Sequence, residues 1–238
     1  MNNMFNFKNM KNNKKTDYAR VVYNADNKPI TSYPKKLVNF LIKKFELKVG
    51  ENLLELGPAR GDFLKEFSEQ KLKIYASDIS DYVKEYCPNV NFKQANLEQE
   101  KIPFDDNYFD IVYTKSFVEH FYYPEKIFSE IFRVLKPGGK IITLTPHWKF
   151  MHINFYEDYT HRTPFTIESI EILQKLVGFE KIKSYNFRQL PSLWRFKFLI
   201  IFSELTRILC PSSLIKRFKW VQFSKEVMIL SYAQKPKK

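Results

Sequence analysis

Short apolar runs alternate with amphipathic stretches along most of this chain. Asn52–Leu56, Lys73–Asp78, Val90–Gln94, Phe109–Thr114 and Lys140–Thr145 are rich in Leu, Ile, Val, Phe or Tyr and are bounded by turn residues, as buried strands are. Between such runs the apolar period changes to three and four. Leu37, Phe40, Leu41, Phe45 and Leu47 mark a helix that opens at Pro34, expected to lie across the functional site, and Asp62–Gln70 marks another. Strands alternating with helices predict an α/β fold, a doubly wound sheet with helices on both faces. Lys181–Phe187 and Glu226–Gln234 read as two last strands. Their connection, Arg188–Lys225, is too long for a plain hairpin loop and carries its own apolar helix pattern. Residues 1–17 are polar and low in complexity, so a disordered basic tail is expected there, with residues 18–238 forming one domain that bears an insert at about 188–225.

Glycine is scarce, with six in 238 residues, so each is expected where a side chain or a negative φ would be a problem. Two fall in Glu55-Leu56-Gly57-Pro58-Ala59-Arg60-Gly61, where a strand breaks into a turn that opens a helix. Gly57 lets the chain turn off the strand, the small Ala59 lets the backbone approach a ligand, and Gly61 opens the helix with little bulk. Glu55, at the end of the strand, suits a ligand carrying positive charge and points away from a dinucleotide, whose phosphates would avoid an acid. Asp78 ends the next strand 21 residues after Gly57, the separation at which a carboxylate meets ribose hydroxyls. Phe109–Thr114 ends in the polar turn Lys115-Ser116-Phe117-Val118-Glu119-His120. Arg133–Lys140 closes a helix with Pro137-Gly138-Gly139 and enters the apolar strand Ile141–Thr145.

These segments, in this order and spacing, resemble the class I S-adenosylmethionine-dependent methyltransferases over roughly residues 35–187 and the final strand. The resemblance rests on "LLELGPARG", "YASDIS", "QANLEQEKIPFDDNYFDIVYTKSFVEHF" and "RVLKPGGKIITLTP". Ala59 departs from the glycine that many members carry. The resemblance implies a Rossmann-like seven-stranded sheet of order 3-2-1-4-5-7-6 with strand 7 antiparallel, and S-adenosyl-L-methionine as cofactor. It implies a cofactor-binding set of Glu55, Gly57, Ala59, Gly61, Asp78, Ile79, Asn96, Leu97, Thr114 and Lys115. Tyr156–Thr166 resembles the Asp/His-rich stretch of small-molecule methyltransferases from polysaccharide and natural-product gene clusters, with Thr166 capping the following helix.

All four histidines fall on the expected carboxyl side of the strands: His120 after the fourth, and His147, His152 and His161 after the fifth. The expected chemistry is in-line methyl transfer to an acceptor oxygen with His161 as base, oriented by Asp158, and His120 or His147 as alternates. No metal is expected. Some relatives join an E-x-x-E-H run to magnesium, but Ser116 replaces the first acid of that pattern.

The net charge of +13 changes this picture through its placement. Residues 1–50 carry 11 basic and 3 acidic side chains and residues 195–225 carry 7 and 1, whereas residues 51–194 carry 18 basic against 21 acidic. A slightly acidic body disfavours nucleic acid, so RNA or protein methylation stays an alternative only, as does a non-catalytic binding protein of the same fold. The expected acceptor is a small or lipid-linked molecule such as a cell-surface sugar. The two cysteines, Cys87 and Cys210, fit neither a metal spacing nor a required disulfide, and no run of about 18 apolar residues spans a bilayer, so a cytoplasmic protein is expected. Leu193–Cys210 is aromatic and basic. It reads either as a lid over the substrate pocket or as a peripheral contact with anionic lipid at the inner membrane face, where Arg195, Lys197, Arg207, Lys216, Arg217 and Lys219 would meet headgroups.

Overall fold

The computed structural model describes residues 17–152, 154–215 and 217–237. Lys216 and most of the expected tail, residues 1–16, lie outside the described residues. The last residue of that tail, Asp17, belongs to the fold: its side chain accepts from the Ala19 amide and caps a first helix, α1 (Tyr18–Tyr23).

Seven strands form one sheet: β1 (Asn52–Leu56), β2 (Lys73–Asp78), β3 (Asn91–Gln94), β4 (Phe109–Lys115), β5 (Leu135–Pro146), β6 (Glu180–Arg188) and β7 (Val227–Gln234). Their order is β3-β2-β1-β4-β5-β7-β6. The pairings β1–β2, β1–β4, β2–β3 and β4–β5 are parallel, and β7 runs antiparallel between β5 and β6. The order reverses at β1 and β4, where open α/β sheets bind ligands beyond the carboxyl ends of the strands.

Helices cover both faces because their apolar stripes have a sheet to bury against. On one face α2 (Tyr33–Phe45) and α3 (Asp62–Glu69) bring Leu37, Val38, Leu41, Leu64 and Phe67 against Leu53, Ile111, Tyr113 and Ile142. On the other, α5 (Pro124–Val134) and α7 (Ile167–Val177) bring Ile127, Phe128, Ile131 and Ile170 against Leu54, Val112, Ile141 and Ile229. Between α3 and α5 lies only the short α4 (Val83–Tyr86), and a four-residue helix α6 (Trp148–Met151) follows β5. Thr166 caps α7 in a reciprocal box with Ser169, and Gly178 ends it in the left-handed conformation, φ 106°. The long connection from β6 to β7 holds α8 (Pro191–Arg195), α9 (Leu199–Leu209) and α10 (Lys219–Lys225).

Two expectations are corrected. The fifth strand begins at Leu135, pairing with Phe109, and the register then shifts so that Ile111 faces Lys140. Lys136–Gly139 bulge out opposite Asp110, whose carboxylate takes the Lys136 ammonium at 2.8 Å. Pro137-Gly138-Gly139 therefore builds a bulge inside the strand rather than the end of a helix; a Cβ at Gly139 would meet the Lys136 carbonyl at 2.8 Å. The helix at Pro34 does not lie across the functional site. Its stripe is spent on the core between α3 and the sheet, and α1 takes the position over the site instead.

Candidate active site

Beyond the carboxyl ends of β1, β2 and β4 lies a cavity of about 270 Å³. Its floor is the turn after β1, where three alternate residues take the left-handed conformation: Gly57, Ala59 and Gly61 have φ of 68°, 48° and 85°. A Cβ at Gly57 would stand 2.3 Å from the Phe117 ring, and one at Gly61 would meet Val83 and Cys87 at 2.8 and 3.0 Å. Both glycines are thus fixed by crowding as well as by backbone angle. Asp78 closes one side: its carboxylate accepts from the Ala59 amide at 3.3 Å and the Ser80 amide at 3.1 Å. Ile79, Asn96 and Leu97 continue that wall. Burial pushes the Asp78 carboxyl up to about 6, against the pull of those amides.

Glu55 is buried beneath the turn, and its Oε2 has no hydrogen-bond partner among the described residues. Burial, with Asp62 nearby, pushes this acid up to about 8. Lys115, half-buried at the end of β4, is pushed down to about 8 by burial and by Lys28, while Glu119 and Glu55 act in the opposite sense. Thr114 is fully buried with its hydroxyl unpaired, and like Glu55, Gly61 and Lys115 it stands outside the cavity lining.

Sequence reasoning missed the roof. Asp17, Tyr18, Ala19 and Tyr23, at the start of and along α1, close over the cavity. Arg20 clamps α1 to Asp81 at 2.8 Å and to Glu85 at 2.6 Å, Asp17 accepts from the Ser80 hydroxyl, and Arg60 donates to the Lys28 carbonyl at 2.8 Å. The one local signal was Asp17, a good N-cap residue just before an apolar run.

The far end of the cavity is walled by Ser116, Phe117, His120 and Thr160. Residues 158–163 are brought against the turn after β4 because the Arg162 and Thr163 amides both donate to the Glu119 carbonyl, at 2.8 and 3.0 Å. The side chains then form a directed chain. Thr160 donates its hydroxyl proton to Asp158 Oδ1 at 2.5 Å, so its oxygen has only lone pairs left for His120 Nδ1 at 2.9 Å. His120 must therefore carry its proton on Nδ1 and present the Nε2 lone pair. Burial, with His161 beside it, pushes the His120 imidazole down to about 4, which keeps that lone pair free at neutral pH. Tyr18 donates to the other oxygen of Asp158 at 2.5 Å. Three hydroxyl and amide donors, Thr160 foremost, hold the Asp158 carboxyl down to about 2 despite burial.

His161 packs against His120 with ring centres 4.8 Å apart, and its Nδ1 donates to the Phe155 carbonyl at 2.6 Å. Its Nε2 lies 4.0 Å from Asp158 Oδ2, and it does not line the cavity. His147 is elsewhere: buried, it caps α6 by accepting from the Lys149 amide at 3.2 Å. Glu119, read from sequence only as part of an incomplete E-x-x-E-H run, is fully buried; Thr145 donates to its Oε2 at 3.0 Å and its Oε1 has no partner among the described residues. Burial pushes it up to about 7. One ligand atom each from Glu119, His120 and His161 lies within 4.8 Å of the others.

Residues 54–143 match the family model of a methyltransferase domain. The chain is 28% identical over 134 residues to the ubiquinone/menaquinone biosynthesis C-methyltransferase UbiE of Cupriavidus metallidurans, covering 52% of this chain and 55% of that protein. The match thus spans about half the length of such curated relatives. Among solved structures, a methyltransferase of Archaeoglobus fulgidus described as SAM-dependent superposes with a TM-score of 0.61 at 20% identity, covering 84% of this chain and 94% of that one. Phosphoethanolamine N-methyltransferase 2 of Haemonchus contortus, solved with S-adenosyl-L-methionine, superposes with a TM-score of 0.63 at 19% identity, covering 92% and 59%. The stretch that matches a methyltransferase domain, residues 54–143, holds both the glycine turn after β1 and the acid that closes β2, within a sheet whose fold these solved methyltransferases share.

Proposed function

We propose that the chain transfers a methyl group from S-adenosylmethionine to an oxygen of a small or lipid-linked acceptor such as a cell-surface sugar. The observation that carries this reading is one cavity with two chemically different ends: the Gly57–Asp78 end, and the end walled by His120 and Thr160. The first end suits the cofactor. Asp78 offers a carboxylate for ribose hydroxyls and Gly57 leaves the turn bare, while Glu55, buried beneath the turn and outside the lining, would be drawn toward its charged form by a cationic ligand above it. When bound, S-adenosylmethionine supplies an electrophilic methyl group. The chain's own part is to hold the acceptor against the second end, exclude water beneath α1, and take the acceptor's proton. His120 is the base, with Asp158 and Thr160 fixing its tautomer; a base this weak takes the proton only as the new oxygen–carbon bond forms. His161, the first choice from sequence, packs edge-on against it and outside the cavity lining.

A second reading, methyl transfer to a carbon of a quinone precursor, is favoured by the likeness to UbiE. Turnover assays with methyl-labelled cofactor should separate the two, using lipid-linked sugars and nucleotide sugars in one set and a demethylated quinol in the other. Under the first reading label enters a sugar hydroxyl, His120→Ala loses at least about a hundredfold in kcat with cofactor affinity kept, and Thr160→Val loses less. Label on the quinol ring alone would replace the first reading with the second. A His120→Ala variant with full kcat would remove His120 as the base.

A further inference from the structure

Helix α9 is built inside out. Phe198, Ile201, Phe202, Leu205, Ile208 and Leu209 recur at three- and four-residue spacing along one stripe, and each is 48 to 73% exposed. Such a stripe normally faces the core. Here the polar side does: Ser203 is fully buried and bonds to the Ser224 hydroxyl of α10 at 2.9 Å, and Thr206 accepts from the Trp220 indole at 2.9 Å. The fold therefore spends hydrogen bonds to turn an apolar face outward.

The charges around the stripe say what covers it. Between residues 189 and 225 the only acid is Glu204, and it is occupied by Arg188 and Arg207. Exposed Arg195 and Lys197 stand before the stripe, and exposed Arg217 and Lys219 after it. Pairing with a second copy across a twofold axis would bring like charges together. An anionic lipid surface answers both features at once, taking the apolar stripe into its interface and the cations at its headgroups. Eleven residues of helix reach about 16 Å, roughly half the hydrocarbon thickness, and among the described residues no helix is long and apolar enough to cross a membrane. We infer that α9 lies in the plane of an anionic membrane and docks the protein there. Arg207 lies over the Phe150 ring, whose edge meets His147, so the docked face adjoins the segment that follows β5.

The test is co-sedimentation with vesicles of phosphatidylglycerol and phosphatidylcholine, against vesicles of phosphatidylcholine alone. The expected result is binding to the anionic vesicles at low salt, at least about tenfold weaker on the neutral ones and weakened again at 1 M salt. Ile201→Asp with Leu209→Asp should abolish binding, and Arg195→Gln with Lys197→Gln should weaken it roughly tenfold. S-adenosylmethionine titration of the same samples shows that the variants are folded and tests the methyltransferase reading separately. No sedimentation with anionic vesicles, or sedimentation unchanged by the aspartates, overturns the proposal. So does a dimer in solution that the aspartates dissolve, which would assign the stripe to a second copy.

Discussion

At the scale of single residues the site stores three acids in forms that water would not favour. Glu55, Asp78 and Glu119 are held at about 8, 6 and 7, each chiefly by burial. An acid that binds its proton more tightly folded than unfolded contributes stability in full below its unfolded value of about 4, and that contribution is lost as pH rises through the folded value. The cofactor-free protein should therefore lose stability between pH 6 and 8. A cationic ligand beside Glu55 favours the ionised acid, so the rise in Tm caused by S-adenosylmethionine should grow over the same interval and shrink in Glu55→Gln. Thermal scans at pH 6, 7 and 8 with and without cofactor decide this; a Tm gain independent of pH would reject it. Asp78→Ala should weaken cofactor binding by about 2–3 kcal/mol, the range of a hydrogen bond to a charged group, as read by calorimetric titration. The turn that carries Glu55, Gly57 and Gly61 and the strand end at Asp78 were legible in the sequence because a strand, a turn and a helix start fix their neighbours locally; that Glu55 and Gly61 stand outside the cavity lining was not. Thr160 was not, since its importance comes from a bond to His120 forty residues away.

Among the elements, α1 and α9 were the hardest to read. Each strand's apolar run was visible in the sequence, although the bulge at Lys136–Gly139 disguised where β5 begins. The stripe Leu37, Val38, Leu41 showed that α2 is buried without showing against what, hence its mistaken placement over the site. Spacing likewise revealed an apolar helix pattern within Arg188–Lys225 but neither its bounds nor that the apolar face of α9 points outward, which depends on Ser203 meeting Ser224. Helix α1 is six residues long and cannot be stable alone, so its place over the cavity depends on Arg20 and its partners Asp81 and Glu85. Arg20→Ala should speed cofactor dissociation by about three- to tenfold, a modest factor because Glu85 is half exposed, while leaving Tm of the cofactor-free protein little changed. Stopped-flow release of a fluorescent cofactor analogue measures it; an unaltered rate would show that α1 is not held by this clamp.

For the molecule as a whole, the alternation of strands and helices made a doubly wound sheet legible in the sequence, while the strand order with its antiparallel seventh strand came from the family resemblance. The closure of the site was not, because Tyr18 and Asp158, which join its two ends, are 140 residues apart. That bond has a consequence for the timing of turnover. Asp158 takes Thr160 on one oxygen and Tyr18 of α1 on the other, and Thr160 in turn meets His120, so one carboxylate couples the roof to the imidazole. On the reading proposed above, with His120 as base, lifting α1 to exchange spent cofactor should also loosen that base, so a newly arrived methyl donor should meet a competent proton acceptor only after the compartment has been sealed from solvent. In Tyr18→Phe this interlock is cut: transfer to the acceptor should slow while slow loss of the methyl group to water rises, and the ratio of methylated product to cofactor consumed should fall below one. A ratio that stays at one would show that the two ends of the cavity work independently.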